Sequence, residues 1–135
     1  MANSPAIDAA SATAMVNAYV DQLDASAGSL KVFSGSLPAN CAAADPSGLL
    51  VTITLPTPAF GAGSSGVAAK SGTWSGTASA AGTALCFRIY TSTPTCIGQG
   101  TCGNTSGYDL NFDSTTIASG ATVTISTFTA TQPLA

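Results

Sequence analysis

Gly28 separates two hydrophobic rhythms, and the change between them limits the folds open to this chain. Upstream, Ala12, Met15, Val16, Tyr19, Val20 and Leu23 recur at i, i+3, i+4, i+7, i+8 and i+11. That spacing predicts an amphipathic helix over about residues 11–26. Asp8 or Ser11 stands ready to cap its first turn, and Gly28 is placed to stop it through a left-handed turn. Downstream the period becomes two. "SLKVF" sets Leu30 and Val32 on one face, and "LLVTITL" sets Leu49, Val51, Ile53 and Leu55 against Thr52 and Thr54. Pro56 and Pro58 end or bend that strand. "TALCFRIY" alternates Leu85, Phe87 and Ile89 with Cys86, Arg88 and Tyr90, and "YDLNFD" alternates Tyr108, Leu110 and Phe112 with Asp109, Asn111 and Asp113. Clusters of Gly, Ser, Ala and Pro at 34–48, 61–66, 71–82 and 98–107 read as turns and loops. Short strands at this spacing, antiparallel by default, predict a mainly β fold: an antiparallel β-sandwich or jelly-roll-like domain with one N-terminal amphipathic helix packed on it. Residues 1–10, small and polar around Pro5, predict a flexible arm. Residues 11–135 then form a single β-rich domain, long enough for a core of its own.

The last strand-like stretch, "STTIASGATVTISTFTATQP" at 114–133, has no Lys, Arg, Asp, Glu or His. Val123 and Ile125 point inward together, but the next large apolar residue, Phe128, lies three positions on. A bulge near Ser126–Thr127 returns Phe128 to the core; without one it faces a neighbouring subunit. The whole chain shares this poverty of charge. Only nine of 135 residues are charged, against roughly a quarter in a typical soluble domain. All six acids are Asp, the only bases are Lys31, Lys70 and Arg88, and 36 Ser and Thr residues supply the polarity. No run approaches the ~18 apolar residues of a membrane span, and three scattered bases do not make a nucleic-acid surface. The N-terminus lacks the basic and apolar regions of a secretory signal. Its Met favours a chain that stays in the cell that makes it.

Reactive groups are scarce. Without His there is no Ser-His-Asp triad or Cys-His pair, and without Glu any carboxylate pair must come from Asp. Asp109, Asn111 and Asp113 match the opening of a calcium loop, but Ser114 replaces its turn glycine and Gly120 its bidentate acid. "GTWSGTASAAG" lacks the lysine of a phosphate loop. Asn104 begins a glycosylation sequon, relevant only on a eukaryotic secretory route. Arg88 sits in the most hydrophobic strand and needs a partner, for which Asp109 or Asp113 is the natural candidate. Cys41, Cys86, Cys96 and Cys102 fit no zinc spacing. Cys96 and Cys102 are disulfide candidates under oxidising conditions; in a cytosolic chain thiols are the expectation. The residues thus predict no catalytic group, no cofactor, no metal and no enzyme activity. One rival binding function has candidates: a carbohydrate-binding or adhesin-like module would stack Trp74, Tyr90 or Tyr108 on sugar faces.

Exposed strand edges without lysine invite pairing, and a surface poor in charge resembles an interface core. Both features suggest burial against identical copies or a large partner. The order of segments also resembles a group of small virion proteins of tailed bacteriophages: a short helix, then "LKVFSGSLPAN", "GLLVTITLPTPAF", "GTWSGTASAAGTALCFRIY" and "GYDLNFDSTTIASGATVTISTFTATQP". The similarity runs over about residues 12–133 and is most specific at Phe87-Arg88-Ile89, Asp109-Leu110-Asn111 and the Ile117-Ala118-Ser119-Gly120 turn. It departs at "STPTCIGQGTCGNTSG", where that group has a short turn. The resemblance implies capsid decoration, or cement: a homo-oligomer, with a trimer favoured, bound outside the major capsid protein lattice. It also implies assembly into virions made in a host bacterial cytoplasm. A tail or neck protein is the alternative virion position. No catalytic residue carries over.

Overall fold

The structure is a computed structural model and describes residues 8–24, 27–64, 66–93, 95–103, 110–111, 116–125 and 128–131. The helix, α1, spans Ala9–Asp24, starting two residues before the predicted boundary. Asp8 is its cap: its Oδ1 accepts from Ser11 N at 3.0 Å and its carbonyl from Ala12 N at 3.0 Å. Ala12, Val16, Val20 and Leu23 are buried, while Met15 is half exposed. The stripe therefore packs on its own domain. Gly28 acts differently from the prediction. It is not among the glycines with positive φ; a Cβ there would run into the Tyr90 carbonyl and the Leu23 side chain. Close approach, rather than a left-handed turn, requires glycine at this position.

The strands are β1 (Ser29–Phe33), β2 (Leu49–Thr54), β3 (Val67–Ala69), β4 (Trp74–Thr77), β5 (Gly82–Thr83), β6 (Cys86–Tyr90), β7 (Cys96–Gly103), β8 (Leu110–Asn111), β9 (Thr116–Ile117), β10 (Thr122–Ile125) and β11 (Thr129–Thr131). The principal sheet has five strands in the order β2-β1-β6-β7-β8, and three two-stranded ribbons pair β10 with β4, β11 with β3, and β5 with β9. Pairing is antiparallel except for the short parallel contact of β7 with β8. The fold is thus mainly β, with antiparallel sheets that do not close and a single N-terminal helix.

Register explains which side chains go inward. Ile53, Leu30 and Ile89 form one cross-strand row, and Val51, Val32 and Phe87 the next. Both rows are buried in the main apolar cluster, joined there by Trp74, Ile125, Ala68 and the helix stripe. Where these rows reach β7 they end in Gly98 and Gly100, and a Cβ on Gly98 would collide with the Tyr19 hydroxyl of α1. Two predicted inward residues turn out. A register shift between Val32 and Phe33 pairs Leu49 with Phe33, so Leu50 is buried and Leu49 is 38% exposed. Leu85 precedes the start of β6 and is 49% exposed.

Phe128 faces inward. It packs against Phe87 at 5.7 Å, Trp74 at 5.6 Å and Phe60 at 6.1 Å between ring centroids. Between β10 and β11 the ribbon changes partner, from β4 to β3. The proposed bulge at Ser126–Thr127 lies outside the described residues, but a Phe128 directed at a neighbouring subunit is ruled out by these contacts.

Candidate functional site

The opposite face of the principal sheet carries polar side chains; it is exposed along β2 but buried along β6. Thr52, Lys31, Arg88 and Gln99 form one row across β2, β1, β6 and β7. Strict alternation would leave Cys86, Arg88 and Tyr90 in solvent, yet all are buried, Arg88 to 2% exposure. The loop 34–48 covers them. Its ends are drawn together by Ser34 N to Gly48 O at 2.9 Å and Gly35 N to Ser47 O at 3.0 Å, which makes it a compact Ω-type loop. Gly48 has φ +76° and leaves no room for a Cβ beside Ser34 Oγ, so the neck of the loop depends on glycine.

Arg88 is the centre of this arrangement. Its Nη1 donates to Asp45 Oδ1 at 2.8 Å, Nη2 to the Asn40 carbonyl at 3.0 Å and Nε to Gln99 Oε1 at 3.2 Å. Gln99 Nε2 in turn donates to the Pro38 carbonyl at 2.7 Å. The Tyr90 hydroxyl donates to the same Asp45 oxygen, and Lys31 Nζ lies 5.0 Å from the Tyr90 ring centroid, a cation–π contact. Asn40 Oδ1 accepts from Ala42 N and Ala43 N, shaping the crest of the loop. A fork of planar donors suits this work, because one guanidinium can hold several segments of backbone and side chain at once. The Tyr90 hydroxyl bond, followed by the Arg88 guanidinium, holds the Asp45 carboxyl below its usual range. Burial, followed by the Asp45 carboxylate, pushes the Tyr90 phenol up to about 12. At neutral pH the set is therefore a carboxylate and a phenol around an arginine, all mutually bonded. It fixes a loop and leaves no poised acid or base.

Arg88 is thus paired with Asp45, a loop residue outside the predicted set; the predicted partners Asp109 and Asp113 lie outside the described residues, as does the rest of the calcium-like run apart from the backbone of Leu110–Asn111. Cys96 and Cys102, the candidate pair under oxidising conditions, are not joined, and Cys41 and Cys96 are not the thiols expected of them. Cys96 is bonded to Cys41 across 55 residues of sequence, with Cα atoms 5.4 Å apart. Cys102 is a buried thiol of the apolar cluster. Cys86 Sγ donates to the Gly35 carbonyl at 3.3 Å, and burial pushes its thiol up. Trp74, the foremost sugar-stacking candidate, is wholly buried: it packs edge-on to Phe60 at 5.3 Å and donates from Nε1 to the Ser71 carbonyl at 3.2 Å. Tyr90 is beneath the loop, and Tyr108 lies outside the described residues.

No family model matches the chain, and neither a curated protein nor a solved structure matches it.

Two further surfaces lie away from this loop. A groove of about 450 Å³ runs between α1 and the segment around Phe60, lined by Asn17, Val20, Asp21, Pro58 and Ser71 among others. Asn17 Oδ1 is already taken by Gly63 N at 2.9 Å. No cluster of three metal-binding side chains occurs among the described residues, and none of their helices is long and apolar enough to cross a membrane. The second surface is the outer side of the β4–β10 ribbon, where Ser75, Thr77, Thr122 and Thr124 are exposed, Thr77 opposite Thr122 and Ser75 opposite Thr124. Lys70, near this ribbon in sequence, is turned to its own chain: Nζ donates to the Gly72 carbonyl at 2.8 Å and lies 5.9 Å from the Trp74 ring centroid.

Proposed function

We propose that this chain is a structural protein of a bacteriophage virion that binds the outer surface of the capsid and reinforces the major capsid protein lattice. The observation that carries the reading is where the positive charge goes. Each of the chain's three bases is engaged within its own fold: Arg88 under the loop, Lys31 on Tyr90, and Lys70 on Gly72 and Trp74. The β4–β10 ribbon meanwhile presents hydroxyl and methyl groups without an ionised side chain. A surface of that kind loses little on desolvation and suits burial against protein better than contact with an anionic polymer or headgroup. The resemblance of segment order to small virion proteins of tailed bacteriophages is what implies the capsid as partner. The five-stranded sheet and the ribbons on its apolar face form, in this reading, a sandwich-like rigid body that assembles as a homo-oligomer, with a trimer favoured. Each contact with the shell is weak, and many copies act together through avidity. No catalytic role is assigned.

Purified protein mixed with expanded capsids of its phage should co-sediment with them, and particle imaging should place it outside the shell. Capsids lacking it should lose heat and osmotic resistance. A monomer that binds no capsid, or capsids equally resistant without it, would overturn the reading; density at the tail or neck would move it to the alternative virion position. The carbohydrate-binding alternative is disfavoured by the complete burial of Trp74.

A further inference from the structure

The loop 34–48 is held to the sheet by two unlike fastenings. One is polar, through Arg88, Gln99 and Tyr90 to Asp45, Asn40 and Pro38. The other is the bond from Cys41, in the loop, to Cys96, at the start of β7. Exposure sorts the four cysteines in the same way: Cys41 and Cys96 are half-buried, whereas Cys86 and Cys102 are 0% and 3% exposed. Thiol–disulfide exchange needs access for the attacking thiolate, so the outer pair can exchange with a small molecule and the inner pair cannot. The polar fastening also holds the residues beside the bond. Arg88 grips the Asn40 carbonyl, next to Cys41, while Gln99, three residues beyond Cys96, grips the Pro38 carbonyl.

We propose that Cys41 and Cys96 form a redox latch on this loop, a dithiol in reducing surroundings and a disulfide once an oxidised small-molecule thiol such as glutathione disulfide is present. In the first step the thiolate of one cysteine attacks glutathione disulfide, forming a mixed disulfide and expelling one glutathione thiolate. In the second, the other cysteine's thiolate attacks its partner's sulfur and expels the second glutathione thiolate. The protein dithiol loses two electrons, glutathione disulfide gains them, and the two protons shed by the cysteines end on the two glutathiones. Because the polar fastening pre-aligns the loop, the second step is intramolecular and outruns competing pairings. The closed bond spans 55 residues, so it restrains much of the unfolded chain. This inference goes beyond the capsid reading and depends on none of it.

The test uses the full chain in glutathione buffers stepped from reducing to oxidising, with alkylation and peptide mass analysis, amide hydrogen exchange and thermal unfolding. A single two-electron step linking Cys41 to Cys96 is expected, with slower exchange across 34–48 in the oxidised form. The unfolding temperature should rise by about 10 °C, and Cys86 and Cys102 should resist alkylation until the protein is denatured. A bond from Cys96 to Cys102 or Cys86, a pair still reduced under excess glutathione disulfide, or equal loop exchange in both states would overturn the proposal. The double variant C41S/C96S should behave like the reduced protein in every buffer; a response as large as that of the unsubstituted chain would place the redox effect elsewhere and overturn it equally.

Discussion

Ile53, Leu30 and Ile89 occupy one row of the principal sheet, and Thr52, Lys31, Arg88 and Gln99 occupy the adjacent row on its other face. The apolar face and the β6 part of the polar face are both covered, by opposite means. The apolar face is covered by shape: α1, Trp74, Phe128 and the ribbons fill it without directional bonds between side chains. The β6 part of the polar face is covered by a single loop, held by an arginine fork and a disulfide. Burial by shape is stable under any solution condition that preserves the hydrophobic effect. Burial by fastening depends on ionisation and redox state. The two sides of one sheet should therefore fail under different challenges.

The largest effect belongs to the apolar side. Trp74→Ala removes the ring that packs against both Phe60 and Phe128 and should cost about 3–5 kcal/mol, read from urea unfolding and unchanged by reductant. A loss below about 1 kcal/mol would mean that the ribbons are not part of the same core. Next comes Arg88→Met, which keeps the volume but leaves the Asn40 carbonyl and Gln99 Oε1 without their donor and Asp45 with only the Tyr90 hydroxyl. Breaking a fully buried ion pair costs roughly 3–5 kcal/mol, but the Asp45 side chain is 47% exposed and can be resolvated, so about 2 kcal/mol is expected. The loss should be accompanied by faster amide exchange across 34–48. Loss of stability without that local signature would break the contrast between the faces.

Legibility in the sequence follows the same division. The apolar face was readable because alternation in "SLKVF" and "LLVTITL" and the helical stripe before Gly28 are direct imprints of packing. The strands β3, β4 and β7 were not, because their inward positions include Ala68, Gly76 and Gly98. Gly76 illustrates why: a Cβ there would lie 2.8 Å from the Thr52 carbonyl and 3.2 Å from Ile53 Cγ1. At such a site closeness selects for the absence of a side chain, and a hydrophobic pattern has nothing to record. The need of Arg88 for an acid was also legible, but its identity was not. A strand partner was expected, whereas Asp45 arrives from a loop folded back over the sheet. One signal existed: Asp45 is the only acid between Asp24 and Asp109. The Cys41–Cys96 bond escaped for the same reason, since spacing favours the near pair until the loop's course is known.

A sharper test couples the fastenings to each other. Arg88→Met and C41S/C96S both release the loop 34–48, so their costs should be non-additive by about 0.5–1 kcal/mol. Trp74→Ala combined with C41S/C96S should add to within about 0.5 kcal/mol, because ring and disulfide share no partner. Additivity in both cycles would mean that the disulfide and the arginine act on separate parts of the loop.

The smallest effect discriminates by pH. Asp45 has a carboxyl held below the ordinary value of 3.8. The folded state therefore binds the proton less readily than the unfolded chain, and the stability this contributes is fully present above that value and lost as pH falls through the folded one. Since the carboxylate is half exposed, the contribution is less than about 1 kcal/mol. Tyr90, raised to about 12 from 10.0, acts in the opposite sense: its contribution is present below pH 10 and fades as pH rises toward 12. The Tyr19 phenol of α1, raised by its burial, shares that alkaline limb, so the acid limb is the cleaner probe. Asp8, held low by Ser11 at the helix cap, loses its own stabilisation over the same acid limb as pH falls below 3.8, and D8N measured alongside removes its share. Asp45→Asn should then flatten what remains of the acid slope while leaving loop exchange at pH 7 only modestly faster, because the Arg88 bonds to Asn40 and Gln99 persist. An acid slope identical to that of the unsubstituted protein would show that the Asp45 contact, although formed, does not contribute to holding the loop.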